Sequence, residues 1–97
     1  MAPKKQPLEL KSAIDNLVHD LGITRRLREY DVITLWEKVV GEQIARVASP
    51  QRIENHVLFV AVSSAPWRAE LSMRRREIIE RINGVVGHRV VREIRFR

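Results

Sequence analysis

Apolar residues recur along this chain with two different periods, and the change from one to the other sets the expected order of elements. Leu10, Ile14, Leu17, Val18 and Leu21 keep the three-and-four spacing of one helical face, and Gly22 follows where a C-terminal cap would sit. A first helix is therefore predicted from about Leu8. Thr24 can cap a short turn carrying Arg25, Arg26 and Arg28, with Leu27 and Tyr30 on its packing side. Asp31 is the next N-cap candidate. Beyond it Leu35, Trp36, Val39, Val40, Ile44 and Val47 trace another helical stripe, in which Gly41 predicts a bend or a break.

The period shortens after Ser49-Pro50. Gln51 to Glu54 lead through Asn55-His56 into Val57-Leu58-Phe59-Val60-Ala61-Val62, the most β-like run of the chain. This predicts a hairpin turning at Asn55-His56, and the apolar character of both faces of Val57 to Val62 makes the second strand the more buried. Ser63-Ser64-Ala65-Pro66 offers a cap and a first-turn proline to a helix whose buried side is Trp67, Leu71, Ile78, Ile79 and Ile82, with Asn83-Gly84 as its stop. In the last run, Val90 to Phe96, Val90, Ile94 and Phe96 share one face and Glu93, Arg95 and Arg97 the other. Strand, helix, strand implies a crossover, so the last strand should lie parallel to the second. The expected fold class is α+β, with a three-stranded mixed sheet packed with helices in the order α-α-β-β-α-β.

Length and composition narrow this picture. The chain has 97 residues, enough for one core, and the expected organisation is a single domain over residues 8–97 after a disordered tail over residues 1–7, where Pro3 and Pro7 flank polar residues. The 44% of hydrophobic residues are spread without a run long enough to span a membrane, and the basic start is followed by no apolar secretory segment. There are no cysteines, which removes disulfides and thiol ligands and fits a reducing cytoplasm.

Charge adds a functional direction. The formal net charge is +6, from 18 Lys and Arg against 12 Asp and Glu, and all ten basic residues after position 50 are arginines. Arginine presents a planar fork that matches phosphate and stacks on bases, so this half of the chain suggests a polyanionic partner. The strongest constellation is Arg68, Arg74, Arg75 and Arg76, with Arg81 and Arg89 beyond. Arg68 and Arg75, seven apart, line up on a continuous helix. The plainer explanation is a solvated helix face, on which Glu70–Arg74, Glu77–Arg81 and Glu80–Arg76 pair at i,i+4 spacing.

Catalytic chemistry finds little purchase. His19, His56 and His88 stand at no recognised ligand or base spacing, and the glutamates lie among arginines, so neither a metal, a cofactor, a catalytic set nor a small-molecule substrate is expected. The nucleotide-binding pattern G-x-x-x-x-G-K-[ST] is absent. Gly84-Val85-Val86-Gly87 has the G-x-x-G spacing with which KH modules clamp a nucleic-acid backbone. In KH modules that loop joins two helices, whereas here it precedes a strand, which favours a helix stop and a turn. Trp67 reads as core because Leu71 and Ile78 continue its face, while Trp36 is open to either a core or an interface role.

The run Leu35-Trp36-Glu37-Lys38-Val39-Val40-Gly41-Glu42-Gln43-Ile44-Ala45 is followed by Val57 to Ser64, by Trp67-Arg68-Ala69-Glu70-Leu71 and by Ile94-Arg95-Phe96-Arg97. In that order and spacing the segments resemble the DciA family over about residues 8–97. The resemblance implies a bacterial protein with a KH-like domain that assists loading of the replicative helicase at the origin and binds both DNA and the helicase. Carried over by position, Trp36 and Gly41 match the family's tryptophan-glycine signature, and with Val40 they are assigned to helicase contact or to shaping that surface. The arginines Arg68, Arg74, Arg75, Arg76, Arg81 and Arg89 are assigned to single-stranded or forked DNA. The rival expectation is a KH-like RNA-binding module in which Gly84 to Gly87 holds the strand.

Overall fold

The computed structural model describes residues 7–20 and 22–97, with the side chains of residues 18–20 excepted. Among these, six helices and three strands follow in the order α1 (Pro7–Asp20), α2 (Ile23–Thr34), α3 (Trp36–Val40), α4 (Glu42–Ala45), β1 (Ala48–Glu54), β2 (Val57–Val62), α5 (Ala65–Met73), α6 (Arg75–Val86) and β3 (Glu93–Phe96). The expected α+β class with a mixed three-stranded sheet holds, and the broad order α-α-β-β-α-β survives once the helix breaks are merged. The tail expected at the start meets a helix already at Pro7, and its other residues lie outside the described ones, as do Leu21 and the side chains of Val18 and His19.

β2 is the central strand. It pairs antiparallel with β1 from Ala48↔Val62 to Glu54↔Val57, and parallel with β3 from Val57↔Glu93 to Val60↔Phe96. The hairpin turns at Asn55-His56 as expected, with both residues at positive φ, 50° and 65°, the backbone shape that a two-residue turn between right-twisted strands requires. The register slips between Pro50 and Arg52, because a proline cannot donate to the ladder and a bulge absorbs the lost pairing.

One side of the sheet carries the core. Leu58, Val60, Val62, Ala48 and Ile94 point toward Val32 of α2, Trp36 and Val39 of α3, Leu71 of α5 and Ile78 and Ile82 of α6. Trp36 is only 3% exposed and donates its indole Nε1–H to the carbonyl of Ala48 at 2.9 Å, so its polar edge is satisfied inside the core. Trp67 is half-buried against the same cluster, as its sequence stripe predicts.

The helix boundaries depart from expectation for identifiable reasons. Asp31 caps nothing; it lies inside α2, and the break falls at Leu35, after Thr34 bonds back through Oγ1 to the Asp31 carbonyl at 3.2 Å. The long helix expected after Ser64 is capped as predicted, the Ser64 hydroxyl accepting from the Trp67 amide at 3.3 Å. It then splits at Arg74, two residues after Ser72 Oγ donates to the Arg68 carbonyl at 2.8 Å. Back-bonding of this kind competes with the helical ladder and bends it. Gly41 does interrupt its stripe, at φ 89° and ψ 163°, a conformation open only to glycine. Leu27 and Tyr30, expected to pack, are exposed, as are Leu10, Ile14 and Leu17 of α1. α1 meets α2 and reaches away from the sheet, giving a radius of gyration of 17.8 Å where a compact chain of this length has about 13 Å.

Asn83 does not stop α6. It remains helical while its side chain reaches the next segment: Nδ2 donates to the Val91 carbonyl at 2.8 Å, and Oδ1 accepts from the Val90 and Val91 amides at 3.0 Å each. The helix ends four residues later at Gly87, in the left-handed conformation at φ 82°, with its amide on the Asn83 carbonyl. Asn83→Ala should therefore lower stability by about 2 kcal/mol, since three backbone groups lose a half-buried partner. In a thermal melt of a chain this size the expected drop in Tm is roughly 10 °C; a melt within 2 °C or so of wild type would show that the clasp is replaceable by water.

Candidate nucleic-acid and partner surfaces

The arginines that the sequence groups together fall into three physical situations. Arg74 and Arg81 are held by carboxylates on their own helical surface, Arg74 Nη2 to Glu70 Oε1 at 2.7 Å and Arg81 Nη2 to Glu77 Oε1 at 2.9 Å. These are two of the three i,i+4 pairs expected. Both pairs are exposed, which limits each to a fraction of a kcal/mol, but each glutamate still cancels the charge a phosphate would see.

Arg68 is in the second situation. It sits half-buried at the start of α5 and donates Nη2 to the Val62 carbonyl at 3.2 Å, tying that helix to the end of β2. The alignment of Arg68 with Arg75 does not form, because the bend at Arg74 separates them onto different helices.

Arg75, Arg76 and Arg89 are in the third. None has a carboxylate partner among the described residues, and the expected Arg76–Glu80 pair is not made. They gather around one open groove, Arg75, Arg76, Ile79 and Glu80 from α6, with Arg89 and Arg92 from the loop that leads to β3. Arg92 was not among the residues singled out in the sequence. Its position just before the last strand carries no helical spacing, and only the crossover brings it beside α6. The Arg75 guanidinium also lies 5.9 Å from the Phe96 ring centroid, which steadies the groove at its sheet end.

The loop is set by a small knot at the hairpin. His56 Nδ1 lies 3.0 Å from the Val90 carbonyl, a contact in which this nitrogen must carry the proton, and the His56 carbonyl accepts from the amides of Arg92 and Glu93. With the Asn83 clasp, this fixes the backbone on both sides of the loop, so Arg89 and Arg92 emerge from an anchored segment. Arg25 of α2 does not extend the groove; it pairs with Glu29 and lines a separate depression with Ile53 to His56 at the hairpin tip.

Of the residues expected to face a protein partner, Trp36 is enclosed in the core, Val40 is half-buried and Gly41 is exposed. Val40 and Ile44 line a small depression with Val39 and with Ile78 of α6, to which Arg74, Glu77 and Arg81 also contribute. Trp36 is tied within the core through its bond to Ala48, and Gly41 supplies the sharp corner between α3 and α4, with Val40 and Ile44 on either side of it. The G-x-x-G segment is spent differently from a backbone clamp: Gly84 lies in the last turns of α6 and the Gly87 amide caps them. Among the described residues no helix is long and apolar enough to cross a membrane, and no group of His, Asp and Glu is arranged to hold a metal ion.

Comparison with known proteins finds relatives over nearly the full length of the chain. The family model described as "Dna[CI] antecedent, DciA" matches residues 9–96. A UPF0232 protein of Mycolicibacterium smegmatis is 33% identical over 92 residues, which cover 95% of this chain and 47% of the relative. The UPF0232 protein of Mycobacterium tuberculosis is 32% identical over 92 residues, 95% of this chain and 49% of its own length. One from Streptomyces avermitilis is 30% identical over 93 residues, covering 94% and 51%. The chain spans about half the length of these curated relatives. The W-x-x-V-V-G corner, the central β run and Ile94 to Phe96 of the ending all lie inside the matched residues, and the chain belongs to the DciA family.

Proposed function

We propose that this chain is a non-enzymatic adaptor that assists loading of the bacterial replicative DNA helicase in the cytoplasm, holding single-stranded or forked DNA in the α6 groove while the α3–α4 corner meets the helicase. Family membership supports the helicase-loading role in general. The observation that carries the DNA half is the division of the arginines: among the described residues Arg75, Arg76, Arg89 and Arg92 line one groove without an ion pair, Glu80 being its one acidic lining residue, while Arg74 and Arg81 are neutralised beside it. A polyanion gains most where guanidiniums are free and already gathered, since no ion pair has to be broken first. The helicase half rests on the depression at Val40 and Ile44, whose mixed apolar and charged lining suits a partner with complementary side chains.

The RNA-binding alternative draws less support. A backbone clamp needs amides free to meet phosphate, and the Gly87 amide is already bonded to Asn83.

Four phosphate contacts to a single strand imply a slope of log K against log[salt] of roughly −3 from the groove alone. Replacing Arg75 and Arg76 by Ala is expected to make the slope shallower by about 1.4 in a salt-titrated anisotropy assay with oligo(dT). The charge-neutral removal of both ion pairs, E70Q/R74Q/E77Q/R81Q, should leave it unchanged. Equal effects from the two sets would mean that pairing does not decide which arginines are used. On the protein side, the purified chain should capture replicative helicase from the same bacterium, and Val40→Asp should reduce capture at least ten-fold without loss of DNA binding, the size expected for a charge set in an apolar contact. Capture unaffected by Val40→Asp would move the helicase surface elsewhere.

A further inference from the structure

The sheet has a second face, and among the described residues no helix covers it. Its residues fall in three rows set by the strand register: Glu54, Val57 and Glu93 beside the hairpin turn; Arg52, Phe59 and Arg95 in the middle; and Ser49 and Ala61, with Arg97 alongside, at the far end. Phe59 stands at the centre of this face, outside the helix-side core, and is nonetheless only 8% exposed. Two guanidiniums account for that. Arg52 from β1 lies 4.4 Å from the ring centroid and Arg97, just beyond β3, lies 4.8 Å from it, reaching Phe59 from the two neighbouring strands.

We propose that this open face is a stacking platform for the unpaired bases of single-stranded DNA. The proposal extends the DNA-holding half of the adaptor reading to a second surface, separate from the α6 groove. A guanidinium laid against a phenyl ring keeps its other flat side toward solvent, and that side is a surface on which a nucleobase stacks. Arg97 has no carboxylate partner among the described residues. Arg52 meets Glu54 through Nε at 3.0 Å, an in-plane contact that takes up its charge but leaves the flat face of the guanidinium open to a base, and Arg95 lies 3.6 Å from Glu93. Both glutamates stand in the row nearest the turn, so the far end of the face is purely basic and an incoming strand is drawn to that end. β3 is an edge strand with the α6 groove on its helix side and Arg95 and Arg97 on its open side. A strand held by phosphate in the groove can therefore cross this edge and lay its bases on the platform. Duplex DNA buries its base faces in the stack and has none to offer, so the platform discriminates single from double strands in a way that phosphate contact cannot.

The test keeps charge and removes planarity. The double variant R52K/R97K is compared with wild type for oligo(dT), oligo(U) and a DNA duplex of the same length at fixed salt, with circular dichroism melting as a check on folding. Oligo(dT) affinity should fall about ten-fold, with duplex affinity and the salt slope unchanged. A parallel fall on oligo(U) would widen the platform's ligand to unpaired bases of either sugar. Oligo(dT) affinity within two-fold of wild type overturns the proposal, as does an equal fall for the duplex. A second measurement needs no variant: an oligonucleotide containing 2-aminopurine should change its emission on binding wild-type protein, and unchanged emission at saturation overturns stacking. Failure of the groove appears separately, as R75A/R76A leaving the salt slope intact while R52K/R97K still weakens oligo(dT).

Discussion

The carboxamide of Asn83 is shared by helix, loop and sheet. From inside α6 it binds the backbone of Val90 and Val91 with both of its ends, at the point where the chain turns back to begin β3. β3 is four residues long and lies at the edge of the sheet, and a strand that short holds poorly unless its start is anchored. Asn83 supplies that anchor from the helix side and the His56 carbonyl supplies it from the hairpin. Once the segment is tied at Val90, Val91, Arg92 and Glu93, two consequences follow. Ile94 is delivered to the core, and Arg89 and Arg92 are delivered to the edge of α6.

This placement makes a basic composition into a surface with a particular shape. Fourteen arginines in one chain say little about where a polyanion would sit, because a guanidinium beside a glutamate presents almost no net charge. Among the described residues, the i,i+4 pairs on α2, α4, α5 and α6 and the i,i+2 pairs on β1 and β3 occupy six arginines. The remainder are distributed by the fold, and the crossover concentrates four of them where no single element could. Arg68 shows the opposite outcome: its charge is turned inward to staple α5 to β2, which makes it part of the scaffold for the groove.

Much of this was legible in residue order. The turn at Asn55-His56, the buried character of Val57 to Val62, the Ser64 cap and the parallel last strand all follow from local rules of period, cap and turn, and the fold keeps each of them. The breaks at Leu35 and Arg74 were hidden because they arise from hydroxyls of Thr34 and Ser72 bonding back within the helix, a choice that propensity does not encode. Asparagine next to glycine usually ends a helix, which is the local signal at Asn83; its distant partners depend on where the chain returns, which only the tertiary fold determines. The candidate site was visible in part for the same reason. The clustering of Arg75, Arg76 and Arg89 is visible in residue order, Arg92 joins them only through the crossover, and i,i+4 spacing allows pairing at Arg74, Arg76 and Arg81 alike, of which the fold makes those at Arg74 and Arg81.

The central claim is that freedom from carboxylate partners, and not membership of an arginine-rich helix, decides which side chains hold DNA. Arginine Nε–Hε resonances of the 15N-labelled chain, titrated with oligo(dT), test it most directly. The account predicts progressive shifts at Arg75, Arg76, Arg89 and Arg92 that reverse on raising the salt, with Arg74 and Arg81 nearly unmoved. Shifts of equal size at Arg74 and Arg81, or none at the groove, would contradict it.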